Sequence, residues 1–286
     1  MEDPKRPTEK VDVTDEDIHW DLREEMSYGG YLHLDKLLSA QSPRSDHHDE
    51  MMFVMVHQVS ELWIKLALHE VAAAVALIRD DTLEPAFKML SRVSRIQRQV
   101  AQVWDVISTM TPADYAGFRG ALGQSSGFQS YQYRILEFTL GNKNPELTEV
   151  HRHDPEVFSR VDAALRAPSI YDESLRLLAR RGFEIPSDRQ ERDWSVPYRA
   201  HSAVEAAWLR IYRNSDEHWD LYALAEKLVD IEDDFHQWRF RHMKTVERVI
   251  GYKRGTGGTS GVGFLVKALD LRFFPELWTV RTSLGT

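Results

Sequence analysis

His242 stands four residues after Trp238 and four before Val246, so on a helix its imidazole joins an apolar line. A neutral imidazole in such surroundings suits an axial ligand of a haem iron as well as a hydrogen-bonded place in a core. Phe53 and His57 are also four apart, one above the other on a helix face, either as two walls of a pocket or with His57 satisfied by a backbone carbonyl. Tyr115 and Arg119 repeat that spacing. A guanidinium offers two parallel donors to a carboxylate and a phenol adds a third; the same pair also fits an arginine lying over a tyrosine at the surface. The run Gly255-Thr256-Gly257-Gly258-Thr259-Ser260-Gly261 reads as a mobile linker or as a lid whose hydroxyls and backbone groups close over a polar ligand. His236, among Asp230, Glu232, Asp233 and Asp234, reads as part of a solvated acidic surface and is set aside as a ligand.

Other chemistries lack their residues. There is no cysteine, which removes disulfides, thiolate metal sites, iron–sulfur clusters, a thiolate nucleophile and covalent haem attachment. A metal must be held by His, Asp or Glu. H-E-x-x-H is absent, and the one Glu-x-x-His pair, Glu16 with His19, lies in a polar leader, so zinc-protease and di-iron readings fail. The glycine run lacks the P-loop Lys-Ser/Thr and follows a helical stripe instead of a strand. No G-x-S-x-G elbow supports a hydrolase.

Helices must position these groups. Residues 1–21 carry no apolar period and read as a poorly ordered leader, with one all-helical domain over 22–286. Tyr28-Gly29-Gly30-Tyr31 reads as a tight turn before a short helix through Leu34, Leu37 and Leu38. After the polar break Ser42-Pro43-Arg44-Ser45-Asp46, a helix is predicted over His48 to Asp80; Met51 to Val56, apolar on every side, should be buried or face a cavity. A second runs from about Leu83 to Thr109. Thr111-Pro112-Ala113-Asp114 opens a third with the signature of a capping box. Gly120 to Gly127 interrupts, Phe128 to Leu140 resumes, and Gly141-Asn142-Lys143-Asn144-Pro145 stops. Glu217 to Ile250 gives the clearest stripe: Leu221, Leu224, Leu228, Ile231, Phe235, Trp238, His242, Val246 and Val249. No alternating strand appears, so the predicted architecture is all-α and bundle-like.

The formal net charge of -9 argues against nucleic acid, whose binding rests on phosphate neutralisation, and favours a small ligand. The longest apolar run, Val71 to Ile78, is far short of the roughly 20 residues that cross a bilayer. Neither a membrane nor secretion is expected, and the cytoplasm is the predicted place.

Read together, Tyr28-Gly29-Gly30-Tyr31-Leu32, His47-His48-Asp49-Glu50-Met51, His57-Gln58-Val59-Ser60-Glu61-Leu62-Trp63, Gly117-Phe118-Arg119, Ser125-Ser126-Gly127-Phe128-Gln129, Gly141-Asn142-Lys143-Asn144-Pro145, Trp238-Arg239-Phe240-Arg241-His242 and Lys253-Arg254-Gly255-Thr256-Gly257-Gly258 resemble the tryptophan 2,3-dioxygenase family. The resemblance runs from about Tyr28 to Arg281 and is weaker from about His151 to Val204. It implies haem b, with His242 as axial ligand of the iron and Ser126, Gly127 and Trp104 beside it. It makes His57 the distal histidine facing the indole N–H, with Phe53 against the ring. Arg119 and Tyr115 would take the substrate carboxylate and Thr256 the ammonium. Tyr28, Tyr31 and Leu32 would complete the pocket, partly from a neighbouring subunit, in an intertwined homotetramer. The implied reaction inserts both atoms of O2 into L-tryptophan to give N-formylkynurenine. Rival readings are a haem dioxygenase with relaxed choice of indole, a non-catalytic haem-binding or haem-sensing protein, and a helical scaffold that binds partner helices.

Overall fold

The computed structural model describes residues 11 and 13–285, and none of them is in a strand. The all-α expectation holds. The chain divides into two compact units at Ser42–Pro43, within the polar break. Of the expected leader, residues 1–10 and 12 lie outside the described residues; residues 11 and 13–21 are exposed and carry no helix.

The first unit holds α1 (Tyr28–Leu32) and α2 (Leu34–Leu37). The aromatic–glycine run, expected as a turn, is itself helical. Ser27 Oγ accepts the Gly30 N–H at 3.1 Å, and this N-cap offsets the cost of two glycines in one helical turn. His33, left-handed at φ 50°, ends α1 by donating its N–H to the Gly29 and Gly30 carbonyls.

The second unit contains α3 (His48–Arg79), α4 (Leu83–Ile107), α5 (Pro112–Arg119), α6 (Tyr131–Leu140), α7 (Pro155–Arg166), α8 (Ile170–Arg180), α9 (Ser187–Gln190), α10 (Ser202–Arg213), α11 (Trp219–Val249), α12 (Val262–Leu269) and α13 (Pro275–Ser283). The three long helices pack side by side, α3 on α4 and α4 on α11. The interior lies among α3, α4, α8, α10, α11 and α13, with Val71, Leu90, Leu175, Trp208, Leu228 and Leu277 sealed from solvent. Burying that area drives the assembly. Two places differ from expectation. Met51 and Met55, at the start of α3, stay exposed at 41% and 44%, in one stripe with Val59, Leu62 and Leu66. Glu232 and Asp234 are buried, not solvated. Glu232 accepts the Phe273 and Phe274 N–H groups and the Trp278 indole, satisfying the free donors that lead into α13. No helix among the described residues is long and apolar enough to cross a membrane.

Candidate functional site

A second apolar cluster gathers where α3, α4, α5 and the end of α11 meet. Ile107, Met110, Tyr115, Phe118 and Val249 form its buried part, with Met52, Phe53, Val56 and Trp104 packed against it. Its local supports were readable: Thr111 accepts the Asp114 N–H while Asp114 returns the bond to the Thr111 backbone, with Pro112 at the first helical position. That capping box sets the start of α5 and so the register of Tyr115, Phe118 and Arg119.

His57 and Phe53 touch ring to ring, centroids 4.2 Å apart. Phe53 also meets Phe118 at 5.4 Å and Tyr115 at 6.2 Å. His57 Nδ1 lies 2.7 Å from the Phe53 carbonyl oxygen. A carbonyl only accepts, so Nδ1 carries the proton and Nε2 is left as the acceptor of the neutral ring. Burial lowers the pKa of His57, which keeps the ring neutral at pH 7. His242 lies flat on Trp104, centroids 4.5 Å apart and planes 9° from parallel, with Trp238 at 5.3 Å. Burial, and behind it the charge His57 can carry, depresses His242 to about 4. The two imidazoles are thus close enough to sense one another, although both keep part of their surface accessible.

Tyr115 is buried, and its hydroxyl makes no hydrogen bond among the described residues. Arg119 is half-buried; its Nη2 donates to the Arg254 carbonyl at 2.7 Å, and its Nε is buried without a partner. Thr256 Oγ1 donates to the Ser125 carbonyl. Gly257 lies so close to Ser126 that a Cβ there would stand 2.8 Å from the serine Cβ. The glycine loop therefore sits against the 125–128 segment, where Ser126 caps the 3-10 turn Gly127–Gln129. Tyr28, Tyr31 and Leu32 lie on α1, in the first unit, and are exposed. Sequence reasoning missed Trp238's other neighbour, Tyr133 of α6, at 5.1 Å.

No group of three or more His, Cys, Asp or Glu side chains among the described residues could hold a metal ion. His242 offers one neutral nitrogen between aromatic faces, which fits a metal whose remaining donors come from its own flat macrocycle. Fold and site define an all-helical protein in which a buried aromatic cluster is bordered by two histidines with lowered pKa values and by Arg119 of α5.

The family model described as Tryptophan 2,3-dioxygenase matches residues 14–211 and 209–284. The chain is 59% identical over 264 residues to a protein of Burkholderia pseudomallei with that name, covering 92% of this chain and 86% of that one. It is 57% identical over 267 residues to the one of Geobacillus thermodenitrificans, covering 93% and 95%, and 56% identical over 279 to the one of Bacillus cereus, covering 98% and 100%. The chain belongs to the tryptophan 2,3-dioxygenase family.

Proposed function

We propose that this chain is a haem-dependent dioxygenase that cleaves the indole C2–C3 bond of L-tryptophan with O2 to give N-formylkynurenine, the first step of tryptophan catabolism through kynurenine. The observation that carries this reading is that His57 packs on Phe53 and His242 on Trp104, two aromatic rings that border one apolar cluster. In the reading, His242 would hold the iron of haem b, with Trp104, Ser126 and Gly127 as the residues that would bind the cofactor beside it. When bound, the haem supplies the redox-active iron that lets O2 react with a closed-shell indole.

The chain's own residues bind and orient. His57 Nε2 is the free acceptor, so it takes the indole N–H, and Phe53 packs the ring from the same helix face. Arg119 and Tyr115 take the carboxylate. A carboxylate is a stronger partner for a guanidinium than the Arg254 carbonyl it now holds, so substrate arrival re-seats the loop that carries Thr256, whose hydroxyl meets the ammonium. Closing that loop excludes water and fixes the reacting geometry. Tyr28 and Tyr31, 76% and 71% exposed, and Leu32 complete the pocket of a neighbouring subunit in a cytoplasmic homotetramer. The exposed stripe from Met51 to Leu66 supports that assembly, since contiguous apolar surface of this kind is unusual on a monomer.

Haem titration tests the reading. The wild-type chain should take up one haem per subunit with a defined Soret band. His242→Ala should lose that band, whereas His57→Ala should keep it and turn over slowly. Uptake by His242→Ala as tight as wild type would remove His242 from the iron.

A further inference from the structure

The two imidazoles are held in different ways. His57 is oriented by its bond to the Phe53 carbonyl, but neither ring nitrogen of His242 has a hydrogen-bond partner among the described residues. A metal-ligating histidine is ordinarily oriented by a hydrogen bond from its second nitrogen to a carboxylate or carbonyl. Around His242 the described side chains contribute packing. Trp104 covers one face in a parallel stack. Trp238, one turn earlier on α11, closes a second side at a 42° tilt and itself meets Trp104 at 6.2 Å.

Trp238 in turn needs support, because it borders a small cavity of about 20 Å³ shared with Gln97, Tyr133 and Phe235, and its indole N–H is buried without a partner. The buttress is Tyr133, 5.1 Å away. Its phenol donates to Glu137 Oε1 at 2.9 Å, and the same oxygen receives Arg239 Nη2 at 2.9 Å. Arg134 binds the other Glu137 oxygen. Arg134, Glu137 and Arg239 are each 3% exposed, and a buried, fully charged anchor of this kind is rigid.

We propose that Trp238, buttressed by Tyr133 and anchored through Glu137 and Arg239, is a positioning residue that fixes the plane of the His242 imidazole. The purpose of that positioning rests on the haem reading above; the positioning itself does not.

The test uses Trp238→Leu, Trp238→Phe and Tyr133→Phe in the full chain. In the protein without haem, the His242 ring protons should resonate upfield under the two indoles; they should move downfield in Trp238→Leu, partly so in Tyr133→Phe, and back in Trp238→Phe. In the haem-loaded protein, Trp238→Leu should shift the midpoint potential and weaken haem affinity by about 10- to 100-fold, and Trp238→Phe should recover most of both. Unmoved His242 resonances and potential in Trp238→Leu and Tyr133→Phe, with helicity intact, would overturn the proposal. Should Trp238→Leu not fold, Tyr133→Phe, which keeps the ring and removes only the hydroxyl, decides it. A wild-type chain that takes up no haem would end the haem reading alone, because the resonances without haem still decide the positioning.

Discussion

Arg119 is the residue that the proposed function assigns to the substrate carboxylate. Its Nη2 is engaged and its Nε is buried and unpartnered, so a carboxylate that replaced the Arg254 carbonyl would gain a charge-assisted bond. Arg119→Leu should lower kcat/KM for L-tryptophan on the order of 2–5 kcal/mol and leave the haem spectrum unchanged, while tryptamine, which lacks the carboxylate, should lose little. Steady-state kinetics with both substrates checks this; equal losses would place Arg119 away from the carboxylate. Single residues were legible where local spacing decides their place. His242 falls in an apolar line, and Phe53 lies one turn from His57. The Tyr133–Trp238 contact was not, because it joins α6 to α11 and nothing in either segment names its partner. Glu232 and Asp234 were misread for the same reason: four carboxylates within five residues look solvated until α13 and Arg98 arrive to pair them.

At the scale of elements, the sequence announced helix ends better than the paths between helices. The Thr111 capping box and the stop at Gly141 follow from short-range bonding that the residues themselves encode, and α11 starts within two residues of expectation without a side-chain cap. The loop from Tyr252 to Gly263 was readable only as mobile or in close approach to something. Its glycines show the close approach. Gly261 adopts φ 63° with the Lys253 carbonyl 2.5 Å from where a Cβ would stand, and Gly257 closes against Ser126. Gly257→Ala forces that contact apart, an overpacking cost of about 1–3 kcal/mol. It should reduce kcat/KM about tenfold or more with the helical fold retained. Unaltered kinetics would mean that the loop does not need to seat on the 125–128 segment during turnover.

The whole molecule joins a well-sealed helical interior to a site left partly open. Buried charges tie α6 to α11, Glu137 with Arg134 and Arg239, and Asp234 of α11 pairs with the half-exposed Arg98 of α4. Removing one member of the Glu137 group would strand a buried charge. Composition and periodicity made the all-helical class readable, yet the apolar start of α3 pointed to burial, and Met51 and Met55 there stay exposed. The account stands or falls on two neutral imidazoles serving one haem and one indole. Its most direct test is to reduce the haem-loaded protein, add L-tryptophan in air and follow the absorbance of N-formylkynurenine. The account predicts one product per O2 consumed, no external reductant spent per turnover, and a rate cut sharply in His57→Ala. Ferrous, haem-replete protein that leaves L-tryptophan intact would contradict it and leave a haem-binding protein without catalysis.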